Sequence, residues 1–80
     1  MKLILYHFEN CPYCGRVEEA IERFQVKGIE HRDILKEPKY REELVAMTGK
    51  KQVPCLVVDG KPIFESLDII KFLESNFEKK

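Results

Sequence analysis

Leu3-Ile4-Leu5-Tyr6-His7-Phe8-Glu9-Asn10-Cys11-Pro12-Tyr13-Cys14 is the stretch that decides the reading of this chain. A short apolar run passes into a Cys-x-x-Cys segment, and a helical pattern follows directly. A strand feeding a helix through such a segment places the first sulfur at the helix N-terminus. Unpaired N–H groups and the positive end of the macrodipole favour a thiolate there, and the thiolate is the nucleophilic form of cysteine. The spacing predicts a redox-active dithiol.

Working outward, Lys2 to about Phe8 reads as a first strand. From Pro12 to Lys27, Val17, Ala20, Ile21 and Phe24 recur at helical steps, Pro12 suits the first turn, and Gly28 is placed to close the helix. Ile29 to about Ile34 reads as a second strand, diluted by Glu30, His31 and Arg32. Pro38 opens a second helix with Tyr40, Leu44 and Met47 on one face, and Gly49 ends it. Pro54 introduces a third strand, Cys55-Leu56-Val57-Val58. Asp59-Gly60 is a hairpin signal, and Lys61 to Phe64 returns as a fourth strand. Pro62 cannot donate to a ladder, which places that strand at a sheet edge. Ser66 is expected to cap a final helix, with Asp68 in its first turn and Leu67, Ile70, Leu73 and Phe77 as its buried stripe. The order β-α-β-α-β-β-α predicts an α/β domain over residues 1–80: a four-stranded mixed sheet flanked by three helices.

Composition supports one ordinary globular domain. The chain has 80 residues, 44% apolar and 35% charged, with 14 basic and 14 acidic side chains and zero formal net charge. Nothing in that balance points to a nucleic acid or a membrane surface as partner. His7 and Glu9 interrupt the apolar N-terminus before a signal-peptide core could form, so a cytoplasmic, reducing setting is expected, and the small near-neutral chain is expected to be a monomer. In that setting three cysteines are a reactive pair plus one other. A bridge between positions 11 and 14 closes too small a loop to act as a staple.

A helical rise of about 1.5 Å per residue separates the Cα atoms of Cys11 and Cys14 by about 5 Å, inside the span a disulfide accepts. Cys11, at the helix start, is assigned as attacking nucleophile, and Cys14, a turn further in, as resolving thiol. Tyr13 and the turn context argue that the pair is exposed. The competing reading is half a zinc site. A closed structural site needs four ligands, a second Cys-x-x-Cys is absent, and Cys55, His7 and His31 show no paired spacing, so no metal is expected. Cys55 reads as a small buried strand residue.

With Cys-Pro-Tyr-Cys after a first strand, Val53-Pro54 before the third and this element order, the chain resembles the glutaredoxins of the thioredoxin-like superfamily along essentially its whole length. Thr48-Gly49-Lys50-Lys51-Gln52-Val53-Pro54 is similar to the family segment ending in Thr-Val-Pro, with Gln52 in place of Thr. The resemblance implies a cis Val53–Pro54 bond, pairing of the Val53 backbone with glutathione, and Tyr13 at the edge of the groove. Two departures stand out. Phe8 occupies the place of a glutathione-anchoring lysine, which leaves Lys39, Lys50 or Lys51 as possible substitutes. Glu65-Ser66 replaces the segment usual before the last helix and resembles the Glu-Ser pair of glutathione S-transferase N-terminal domains, especially the omega-like class. That likeness implies Glu65 on the γ-glutamyl ammonium, with Ser66 and the helix amides on the carboxylate.

The activity so implied is glutathione-dependent thiol–disulfide exchange on glutathionylated or disulfide-containing proteins. No cofactor is required, and glutathione is co-substrate. The alternatives are a stand-alone transferase-like glutathione-binding domain, an iron–sulfur carrier and a non-catalytic interaction module. The end of the chain at Lys80, without a helical second domain, counts against the first. Pro12 counts against the second.

Overall fold

The computed structural model describes residues 2–77. Met1 and residues 78–80, included in the domain by the sequence reading, lie outside the described residues. The elements are β1 (Leu3–His7), α1 (Pro12–Arg23), β2 (Ile29–Asp33), α2 (Pro38–Thr48), β3 (Cys55–Val58), β4 (Lys61–Phe64) and α3 (Ser66–Phe77). They build a four-stranded sheet in the order β2-β1-β3-β4. The crossover through α1 makes β1 and β2 parallel, while β3 is antiparallel to both β1 and β4. Pro62 lies in the edge strand β4, as its missing N–H requires.

Side-chain alternation along β1 divides the core in two. Leu3 and Leu5 face α1 and α3 and pack with Val17, Ala20, Leu56, Ile69 and Leu73. Ile4 and Tyr6 face the opposite way, with Leu44 of α2, Ile34, Cys55 and Val57. Leu5, Leu44 and Leu56 are fully enclosed, and each contributes about 1.5–3 kcal/mol of hydrophobic stabilisation. A polar cluster ties α2 to the sheet: Arg32 Nη1 donates to Glu43 Oε1 at 2.7 Å and to the Tyr6 hydroxyl at 3.0 Å. Arg32 also pairs with Glu30.

The Asp59-Gly60 hairpin forms as expected, with both residues at positive φ (49° and 87°), the signature of a type I′ turn. Three other expectations are corrected. Helix α1 ends at Arg23 rather than running to Lys27. The amide of Gln25, at φ 53°, donates to the Glu22 carbonyl, and that of Val26 to the Ile21 carbonyl. This is a Schellman closure formed three residues before Gly28. Met47 is largely exposed, because Leu44 alone of α2 reaches full burial. In α3 the enclosed stripe is Ser66, Ile69 and Leu73, with Ile70 and Phe77 at its margin, and Leu67 is 64% exposed. No helix of the described residues is long and apolar enough to cross a membrane.

Candidate functional site

Cys11 is the N-cap of α1, with extended backbone (φ −84°, ψ 116°), and Pro12 occupies the first helical position. Its Sγ accepts a hydrogen bond from the Cys14 amide at 3.3 Å, and its carbonyl accepts from Gly15 at 3.0 Å. The first sulfur therefore caps the helix through one of its open amides, that of Cys14. All three cysteines are free thiols. The pair is recessed rather than exposed as expected: Cys11 is 9% exposed and Cys14 1%. Capping explains this, since a sulfur bonded to the Cys14 amide is folded back over its own helix start. Burial, reinforced by the hydrogen bond with Cys11, pushes the Cys14 thiol up to about 12. Cys14 is thus held protonated around neutrality. Burial likewise pushes Cys55 up to about 11, in keeping with an inert strand residue.

Beside this helix start opens a groove of about 630 Å3, a size that suits a small organic ligand. Tyr13, Gln52, Val53, Pro54, Glu65 and Ser66, the residues singled out as glutathione-binding, all line it. Cys11 and Cys14 do not line it; they lie at the root of the helix that carries Tyr13. The Val53–Pro54 peptide bond is cis.

Ser66 is the first residue of α3 rather than its cap. The Glu65 carbonyl accepts the Ile69 amide at 3.0 Å, so Glu65 takes the capping position. Glu65 stands there at φ 70°, a left-handed conformation uncommon for a side chain without local compensation. Its Oε1 accepts a hydrogen bond from Gln52 Nε2 at 3.1 Å. The Ser66 hydroxyl makes no hydrogen bond among the described residues. It stands with the opening amides of α3 at the groove wall.

Arg16 was not singled out by the sequence reading. It lines the groove and lies 5.8 Å from the centroid of the Tyr13 ring. Three residues past Tyr13 on α1, it shares that face, so helical spacing carried the signal. Lys39, Lys50 and Lys51, the substitutes named for the missing lysine, are not among the lining residues, and Lys50 lies instead over the Phe64 ring. Phe8 packs in the α2-side core, which gives an apolar reason for its place. The structure also gathers His7, Glu18 and His31 away from the groove.

This is a thioredoxin-like fold. A solved thioredoxin-like protein superposes on 90% of the chain and covers 99% of its own, with a TM-score of 0.77 and 23% identity. Within that fold, the family model described as "Glutathione S-transferase, N-terminal domain" matches residues 5–80, and the chain belongs to this family. A probable glutathione S-transferase of Nicotiana tabacum is 32% identical over 76 residues, covering 92% of this chain and 33% of that protein. Glutathione S-transferase isozyme E7 of Drosophila melanogaster is 29% identical with a TM-score of 0.78, over 99% of this chain and 36% of that one. Glutathione transferase Omega 3C of Trametes versicolor is 26% identical with a TM-score of 0.80, over 96% and 34%. The chain spans about a third of the length of the curated relatives it matches.

Proposed function

We propose that this domain binds glutathione along the groove and passes its glutathionyl group through Cys11 by thiol–disulfide exchange. The observation that carries the reading is the Cys11 sulfur, which caps α1 by accepting the Cys14 amide, beside a groove lined by Val53, Glu65 and Ser66. Glu65, held through one oxygen by Gln52, receives the γ-glutamyl ammonium. The Ser66 hydroxyl and the amides of α3 receive the α-carboxylate. The Val53 backbone receives the extended peptide as a strand would. Arg16 replaces the missing lysine as the cation for the glycine carboxylate.

The Cys11 thiolate attacks the glutathione sulfur of a mixed disulfide. The new Cys11–glutathione bond forms as the old S–S bond breaks, and the departing thiolate takes a proton from water. A second glutathione thiolate then attacks the glutathionyl sulfur on Cys11, which releases oxidised glutathione and restores the Cys11 thiolate. Cys14, a proton-bearing thiol beneath Cys11, can resolve the same adduct once its own proton has been removed. Its sulfur attacks that of Cys11, the Cys11–glutathione bond breaks as the Cys11–Cys14 disulfide forms, and glutathione leaves as the thiolate and takes up a proton.

A second reading keeps the bound glutathione and transfers it to a small electrophile. The exposed Tyr13 and Leu67 flanking the groove favour it, as do the glutathione S-transferase relatives. One experiment separates the two. Turnover of a glutathionylated peptide, coupled to reduction of oxidised glutathione, is expected for wild type and Cys14→Ser and lost in Cys11→Ser. Full activity in Cys11→Ser would reject the exchange mechanism.

A further inference from the structure

Residues 5, 7, 31 and 33 share one face of the β1–β2 pair, because Leu5 is in register with His31 and His7 with Asp33 in parallel strands. Helix α1 lies over that face: Leu5 packs with Val17, and Glu18 follows Val17. Three donors therefore converge although they are distant in sequence. Glu18 Oε1 is 3.9 Å from His7 Nδ1 and 3.9 Å from His31 Nδ1. One donor atom from each residue lies within 4.8 Å of the others. The two imidazoles meet edge to face, with ring centroids 5.5 Å apart.

None of these separations is a hydrogen bond. His7 has a side chain only 13% exposed, yet both of its ring nitrogens are buried without a partner. Among the described residues these are the buried side-chain polar atoms left unsatisfied. A buried polar group normally has a partner, and a cation held between the three side chains would supply one to His7 Nδ1, the nitrogen nearest Glu18. We propose that His7, Glu18 and His31 bind a divalent transition-metal cation of the zinc class, with a fourth position open to water.

The donor set is the two-histidine, one-carboxylate combination that holds zinc in open sites. Bonds of about 2.0–2.1 Å set tetrahedral ligands about 3.4 Å apart. Each Glu18–histidine separation of 3.9 Å must therefore close by about half an ångström, and the two imidazole donors, within 4.8 Å of one another, by up to about 1.4 Å. Glu18 and His31 are both about half exposed and free to make that adjustment. The surrounding charge permits it: Asp33 lies near His7, and Lys36, the nearby cation, is paired with Glu9 at 3.4 Å. The three residues lie outside the groove-lining set, so the proposal stands independently of glutathione binding.

The test is titration of Zn²⁺ into the protein by calorimetry, with Cys11→Ser and Cys14→Ser combined because the dithiol would itself take zinc. One equivalent is expected, with affinity falling at least about tenfold on adding either His31→Ala or Glu18→Gln. Ring-proton NMR resonances of both His7 and His31 are expected to shift with the same stoichiometry. Substitution at positions 18 and 31 leaves the core intact, and circular dichroism verifies it. Absence of binding, unchanged affinity in His31→Ala, or a Zn²⁺ response that leaves the His7 ring unmoved would each overturn the proposal.

Discussion

Gln52 Nε2 and Glu65 Oε1 meet at 3.1 Å, joining the segment before β3 to the head of α3 on the wall of the groove. The bond engages one carboxylate oxygen and leaves the other for a cation. It also supplies local compensation for a glutamate held at φ 70°. In the proposed binding mode that free oxygen meets the ammonium group of glutathione, and the amides of α3 meet its carboxylate.

Glu65→Gln keeps a partner for Gln52 and removes only the charge. A charge-assisted hydrogen bond is worth about 1.5–3 kcal/mol, so glutathione affinity is expected to fall about ten- to a hundredfold. Gln52→Ala, which loosens the carboxylate without removing it, is expected to cost only a few-fold. Calorimetric titration with glutathione measures both. Equal affinity in wild type and Glu65→Gln would remove Glu65 from the binding site.

The element order, the parallel β1–β2 pair, the hairpin at Asp59-Gly60 and all six proposed groove residues were legible in the sequence. Local signals decide the elements: the apolar run Leu3 to Tyr6 and the glycine and proline punctuation. The groove residues follow from the family resemblance that the Cys-Pro-Tyr-Cys, Val-Pro and Glu-Ser motifs carry. What escaped reading depends on geometry between elements. Gly28 looked like a helix stop, but Gln25 closed the Schellman motif first because Val26 gains burial in the core by doing so. Leu67 and Ile69 exchanged roles because the sheet, not the helix, chooses which face of α3 is covered. The recess of Cys11 follows from a side-chain hydrogen bond that composition cannot show. Arg16 stands three residues past Tyr13, a helical spacing that carries its signal, whereas the His7–Glu18–His31 cluster is assembled from two strands and a helix and no linear spacing motif records it.

The three thiols should differ sharply in reactivity. With burial pushing Cys14 up to about 12 and Cys55 up to about 11, both are almost wholly protonated at pH 8. Cys11 alone touches solvent measurably. Brief iodoacetamide treatment at pH 8 is expected to give a single adduct, mapped by peptide mass spectrometry to Cys11, with Cys14 and Cys55 labelled only after denaturation. Adducts on Cys14 in the native protein at a comparable rate would contradict the assigned roles.

The same two thiols make stability fall in alkali. Both have folded-state values raised above 9.0, the ordinary value. The stabilisation is therefore fully present below pH about 9 and is lost as pH rises through the folded-state values. Over that window the unfolded chain releases protons that the native chain retains. The midpoint of urea unfolding is expected to decline from pH 9 to pH 11, with a shallower slope in Cys55→Ala despite its lower overall stability. A slope unchanged by Cys55→Ala would show that Cys55 ionises as readily folded as unfolded.

The Arg32 cluster holds α2 against the sheet and should act as a coupled unit. Arg32 reaches Glu43 of α2 and Tyr6 of β1, and its guanidinium lies 5.3 Å from the Tyr40 ring centroid. The pair is only partly exposed, so solvent screening discounts it less than an open surface bridge. Arg32→Ala and Glu43→Ala are each expected to destabilise the fold by about 1–2 kcal/mol. Arg32→Ala should be the more costly, since it also strips Tyr6 of its donor. The double variant is expected to cost less than the sum of the singles, because each removes the same Arg32–Glu43 contact, and a double-mutant cycle from urea unfolding reads the difference directly. Strict additivity would mean that the two side chains do not support one another.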